Sequence, residues 1–110
     1  MPTPEDFFAI DMRVGTVVRS EPFPEARKPS LKLEIDFGPT LGIRRSSAQL
    51  TTHYNPEQLV GRQVVGVINI GERRIAGYMS QVLVLGAMPT AAVVVLLAPD
   101  HRVENGTRIG

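Results

Sequence analysis

Leu31-Lys32-Leu33-Glu34-Ile35-Asp36-Phe37 alternates apolar and charged residues at every step. A period of two predicts a strand with one face buried and the other wet. Gly38-Pro39-Thr40-Leu41-Gly42 then turns the chain, because glycine and proline supply the backbone angles of a tight reversal. A further strand is predicted over Ile43 to Leu50. Ahead of both, Met12 to Ser20 reads as a strand interrupted by Gly15, a position that suits a bulge or a close backbone approach. Arg62 to Asn69 and Gln81 to Leu85 are two more, rich in Val, Leu and Ile. Ala92 to Leu97 has no polar position, which predicts a strand buried on both sides.

The helices are brief. Thr3-Pro4-Glu5-Asp6 offers a capping hydroxyl, a proline at the first helical position and acids in the first turn. One or two turns carrying Phe7, Phe8 and Ile10 should follow. Asn55-Pro56-Glu57-Gln58-Leu59-Val60-Gly61 repeats the plan, with Asn as cap, Gln58 reaching back and Gly61 as the stop. The order is three strands, a short helix and two strands, with N- and C-terminal extensions. That is the plan of an OB-fold, an all-β, five-stranded Greek-key barrel that binds oligonucleotides on one face. Between the first two strands, Glu21 to Ser30 contains three prolines and reads as a long functional or edge loop.

A length of 110 residues fits a single domain, 1–110, and is too short for two. At 43% hydrophobic and 21% charged the chain is too apolar for disorder. Cysteine is absent, which excludes disulfides, thiol catalysis and cysteine-based metal sites. The longest apolar run, Ala91 to Ala98, falls short of the about 20 residues a membrane helix needs, so no membrane insertion is expected. The N-terminus lacks the basic start and apolar core of a signal peptide. A soluble cytoplasmic domain is the expectation.

The net charge of +1 demands no nucleic acid, but the cations are grouped. Arg27-Lys28, Arg44-Arg45 and Arg73-Arg74 form three basic pairs. Arginine's planar fork of donors matches phosphate or carboxylate. The pairs form a local basic surface if they meet, and are solvated loop charges if they do not. Signs of catalysis are missing. His53 and His101 each lack a second histidine at ligand spacing. Gly71-Glu72-Arg73 lacks the spacing of a phosphate loop, and no nucleophile elbow surrounds Ser46, Ser47 or Ser80. No triad, dyad or metal cluster emerges, so a non-catalytic protein without metal or cofactor is expected.

Two segments invite a functional reading. Arg44-Arg45-Ser46-Ser47 is polar for four residues within a predicted strand. It is either an exposed edge or the lining of a polar ligand surface. Asn69 to Ser80 combines Asn69, Arg73, Arg74, Tyr78 and Ser80 with two glycines. Phosphate positioning by Arg and hydroxyl donors, with an aromatic face for stacking, uses this mixture; an ordinary loop with Tyr78 and Met79 tucked into the core is the other reading.

Several stretches together carry a resemblance. Asp11-Met12-Arg13-Val14-Gly15-Thr16-Val17, Phe23-Pro24-Glu25-Ala26-Arg27-Lys28-Pro29, Lys32 to Gly38, Ser46-Ser47-Ala48-Gln49, Leu59 to Val65 and Arg73-Arg74-Ile75-Ala76-Gly77, running on into Ser80 to Gly86, cover nearly the whole chain in order. The chain resembles the CsaA-type proteins, a branch of the tRNA-binding-domain family that includes the C-terminal domain of the cytokine EMAP II. The resemblance implies an OB-fold homodimer and an export-related chaperone that binds unfolded or presecretory polypeptides, with tRNA as a second ligand and the export machinery as a partner. The family's tRNA motif runs Asn-Leu-x-Pro-Arg-Lys-x-x-Gly-x-x-Ser-x-Gly-Met. Asn69, Arg73, Arg74, Gly77 and Ser80 agree with it in kind, whereas Glu72 and Val82-Leu83 depart from it.

The candidate tRNA contacts are Arg27, Lys28, Arg44, Arg45, Asn69, Arg73, Arg74 and Ser80. Because strand side chains alternate, only one of Arg44 and Arg45 can face a ligand. Candidate polypeptide contacts are Phe23, Tyr78, Ser46 and Gln49. The terminal segments hold Phe7, Phe8, Ile10, Val103 and Ile109, which are candidates for a two-fold interface. The segment from Val103 to Ile109 has no predicted barrel position to fill.

Overall fold

The computed structural model describes residues 1–110. Its elements run α1 (Pro4–Ala9), β1 (Met12–Pro22), β2 (Leu31–Asp36), β3 (Ile43–Ala48), α2 (Pro56–Leu59) and β4 (Gln63–Val67). Then come β5 (Arg73–Ile75), β6 (Tyr78–Ser80), β7 (Leu83–Val84), β8 (Gly86–Thr90) and β9 (Val93–Leu96). The main sheet has the order β3-β2-β1-β4-β7, and every neighbouring pair is antiparallel. Gln81 N–H donates to the Arg45 carbonyl at 2.8 Å, and the Ser46 hydroxyl donates to the Val82 carbonyl at 2.8 Å. These bonds carry the chain after β6 across to β3, and the sheet curls into a nearly closed five-stranded barrel of the OB type.

Alternation decides which residues fill it. Leu31, Leu33 and Ile35 of β2 are buried while Lys32, Glu34 and Asp36 stay half-exposed. Phe37, Val64, Val82 and Leu59 join the same core, so α2 contributes a buried leucine from between β3 and β4. Asn55 N–H donates to Gln58 Oε1 at 3.0 Å, and Gly61 follows at φ +92°. At the other helix, Thr3 N–H donates to the Asp6 carboxylate at 2.8 Å and Thr3 Oγ1 accepts from Asp6 N–H. Gly15 serves close packing, because Ile35 and Phe37 crowd its α-carbon. The irregularity of β1 lies instead between Val17 and Arg19.

Three expectations need correction. Asn69 to Ser80 is mostly a hairpin, β5–β6, because Ala76 and Gly77 both take positive φ, 45° and 84°, and so form the two-residue turn whose twist matches antiparallel strands. The predicted strand over Ala92 to Leu97 is not buried on both sides. It pairs with β8 as a hairpin, with Val94 and Leu96 packed on the core and Val95 turned outward. The C-terminal segment does have a barrel position. Strand β2 pairs only with Thr16 to Pro22 of β1, which leaves an open edge nearer the start of β1. The C-terminal strap fills it: Val14 N–H donates to the Thr107 carbonyl at 2.9 Å, Gly106 N–H to the Val14 carbonyl at 2.7 Å and Ile109 N–H to the Met12 carbonyl at 2.9 Å. The Gln63 side chain fixes the strap at Val103, donating to its carbonyl at 2.6 Å and accepting from its N–H at 3.1 Å.

Candidate functional site

The outer face of β1, β2 and β3 carries the polar half of the alternation. Arg19 and Glu21 lie on β1, opposite Glu34 and Lys32 of β2, and these lie opposite Arg45 and Ser47 of β3. The β5–β6 hairpin lays Tyr78 over this face, where its hydroxyl donates to the Leu33 carbonyl at 3.0 Å. Tyr78 meets Phe23 edge-on, with ring centroids 5.6 Å apart. The Lys32 ammonium stands 4.9 Å from the Phe23 centroid and 5.3 Å from that of Tyr78. The Arg45 guanidinium is 5.6 Å from the Tyr78 centroid. Burial pushes the Tyr78 phenol above its ordinary pKa, with Arg45 opposing the shift, so the ring is neutral and its hydroxyl remains a donor.

The same face holds a shallow open pocket of about 140 Å³, lined by Arg19, Glu21, Lys32, Leu33, Glu34, Arg45 and Tyr78. Arg19 reaches both carboxylates, at 3.3 Å to Glu21 and 3.6 Å to Glu34. Arginine, lysine and a partly open aromatic face suit an anion attached to a flat ring.

The structure sorts the predicted residues by strand side. Arg45 joins the pocket, whereas Arg44 points to the far side and donates to the carbonyls of Leu41 at 3.3 Å and Ile68 at 3.4 Å. Arg73 pairs with Ser80 and Ile75 with Tyr78, so Arg73 shares the hairpin face of Tyr78. Arg74 pairs with Met79 on the opposite face. Arg27 and Lys28 are exposed in the loop that follows Phe23. Asn69 is engaged at both ends of its amide, accepting from Asp11 N–H and donating to the Ala9 carbonyl, each at 2.9 Å. It clamps the exit of α1 to the barrel. Ser80 is buried and accepts from Ser47 N–H at 3.3 Å.

The predicted polypeptide contacts divide in the same way. Phe23 is only 3% exposed and Ser46 only 1%. Neither is open on the surface of this chain, the first because its ring packs under Lys32 and Tyr78, the second because its hydroxyl closes the barrel. Tyr78 and Gln49 remain half-exposed. At the termini, Phe7, Phe8, Ile10 and Val103 are exposed, while Ile109 is half-buried. Arg19 and Lys32 also line the pocket, though neither is among the candidate contacts that the sequence offers. The signal was present in the period-two pattern, which already puts Lys32 and Glu34 on one wet face; the hairpin that brings Tyr78 to them was not legible.

No three His, Asp or Glu side chains gather where they could hold a metal ion, and no helix is long and apolar enough to cross a membrane. The barrel and its aromatic, cationic outer face define an OB-fold ligand-binding domain. A family model described as a putative tRNA binding domain matches residues 12–108, and the chain belongs to that family. The crystal structure of chaperone CsaA from Bacillus anthracis is 53% identical, with a TM-score of 0.95 over 100% of this chain and 99% of that one. The CsaA chaperone protein of Picrophilus torridus is 43% identical with a TM-score of 0.92, each chain covered completely. Methionine–tRNA ligase of Methanosarcina mazei is 35% identical over 105 residues, which are 96% of this chain and 14% of the ligase. The chain thus spans about one-seventh of the length of the curated relatives it matches.

Proposed function

We propose that this is a non-catalytic binding protein that acts in the cytoplasm as a homodimer and holds unfolded or presecretory polypeptides, a chaperone of the CsaA type serving the export machinery. The likeness along the whole chain to the Bacillus anthracis chaperone, at 53% identity, carries this reading. The apolar surface supports it. Phe8 is 50% exposed beside Phe7 and Ile10, and Met88 is 59% exposed on a hairpin that also turns Val95 outward. Contiguous exposed apolar side chains mark interaction sites more often than they mark a free surface. We assign Phe7, Phe8 and Ile10, with Val103 and Ile109, to a self-complementary two-fold interface. The outward side of β8–β9 is then the apolar surface offered to a polypeptide.

A second reading is that the outer barrel face binds tRNA. The observation that favours it is the convergence of Lys32 and Arg45 on Tyr78, in a family described by tRNA binding. The first test uses the purified protein with an aggregating presecretory protein. A dimer in light scattering at micromolar concentration, together with suppressed aggregation of the client, is the expected result. A monomer that leaves aggregation unchanged contradicts the chaperone reading.

A further inference from the structure

We propose that Lys32 is the gate of a pocket for one single-stranded nucleotide: its ammonium covers the aromatic face in the free protein and moves to a phosphate when a base takes that face. The proposal rests on the RNA reading above and names the ligand unit and the residue that selects it. The charges of the pocket are unevenly matched. Its two carboxylates, Glu21 and Glu34, are both engaged by Arg19, at 3.3 and 3.6 Å. Neither Lys32 nor Arg45 has a carboxylate within 4.0 Å. Both cations instead stand over the Tyr78 ring, at 5.3 and 5.6 Å from its centroid. Like charges at one ring repel each other, and the ring quadrupole offsets that only in part. An anion placed between them satisfies both.

The pocket's flat wall sets the rest of the ligand. With Phe23 buried, Tyr78 is the aromatic surface open to solvent here, and Lys32 occupies part of it. A nucleotide brings a phosphate and a planar base on one short linkage, so one unit can meet the cations and the ring together. An acidic side chain supplies the charge without the flat face. The base must be unstacked to reach Tyr78, which selects single strands, loops and ends over duplex. Lys32 therefore has two positions, over the rings or on the phosphate.

The test titrates the full chain with a fluorescein-labelled single-stranded RNA ten-mer over a salt series. The Lys32 ε-methylene resonances are followed by NMR, since the rings shift them upfield in the free protein. Lys32 is half-exposed on the wet face, so Lys32→Met and Lys32→Arg preserve the core. The expected result is that RNA moves the ε-methylene signals downfield, that Lys32→Met flattens the salt slope by about 0.7, one single-strand phosphate contact, and that Lys32→Arg restores the slope. If wild type binds the RNA while Lys32→Met leaves affinity and slope unchanged and the methylene signals stay put, the gate is overturned and the RNA reading stands. If neither the ten-mer nor tRNA binds wild type, both fall together. If an acidic peptide of equal charge moves the methylene signals as far as RNA does and displaces it, the pocket is a carboxylate site and the nucleotide assignment is wrong.

Discussion

A methyl group at residue 15 would lie 2.6 Å from Ile35 Cγ2 and 2.9 Å from two carbons of the Phe37 ring. These neighbours are core side chains with little room to yield, and overpacking of this kind costs about 1–3 kcal/mol. Gly15→Ala is therefore expected to lower the urea midpoint with an unchanged slope, while the ligand face on the other side of the sheet keeps its affinities. Asp11 shows a different residue-scale effect. Arg13 Nε donates to Asp11 Oδ1 at 2.7 Å and also donates from NH1 to the Gly106 carbonyl at 3.0 Å, so the pair helps fasten the strap. The Arg13 bond holds the Asp11 carboxyl below its ordinary pKa of 3.8. A depressed carboxyl pKa contributes stability above the unfolded value, and that contribution is lost as pH falls through the folded one. Asp11→Asn is expected to lower stability by about 1 kcal/mol or less at neutral pH, the scale of a partly exposed ion pair, and to converge on wild type as pH falls through the depressed pKa of the folded carboxyl. Thermal midpoints of both proteins, followed from pH 7 down into the acid range, check this; a deficit that never narrows as the carboxyl protonates contradicts it.

Local signals wrote some elements plainly and others hardly at all. The alternation of β2 and the caps of α1 and α2 are properties of a few adjacent residues, and they were readable. The β5–β6 hairpin was not, because its turn is Ala76-Gly77 where Asn-Gly or Asp-Gly gives the usual signal. Nor was the strap, whose place depends on β2 leaving part of the β1 edge unpaired. For the ligand face, the Arg44-Arg45 alternation says that only one of the two can face a ligand, and the fold decides for Arg45; Asn69 and Ser46 are polar groups in motif positions whose side chains are engaged within the fold. The turn also makes a prediction at this scale. Ala76 at φ +45° bears a left-handed strain that asparagine tolerates better. Ala76→Asn is expected to raise stability by about 1 kcal/mol or less, read as a higher thermal midpoint. A lower midpoint would mean that the alanine methyl has a packing role in the hairpin.

For the whole molecule, the two kinds of surface obey different physics. On the proposed RNA reading, tRNA is held at Arg19, Lys32, Arg45 and Arg73 through charge, and phosphate contacts release counterions, so its binding should weaken steeply with salt. On the proposed chaperone reading, the apolar residues of α1 and β8–β9 make their contacts through burial, which salt screening leaves in place. A net charge of +1 conceals this division, because Arg19 is matched by Glu21 and Glu34 while Lys32 and Arg45 are not. The most direct test titrates the Arg73→Ala, Arg74→Ala double variant and wild type with tRNA and with an unfolded presecretory protein across a salt series. The double variant is expected to bind tRNA more weakly, with a salt slope flatter by about 0.7–0.9, the worth of the one arginine that shares the Tyr78 face, and to bind polypeptide as wild type does. An unchanged tRNA affinity and slope, or an equal loss for both ligands, would contradict the separation of the two surfaces.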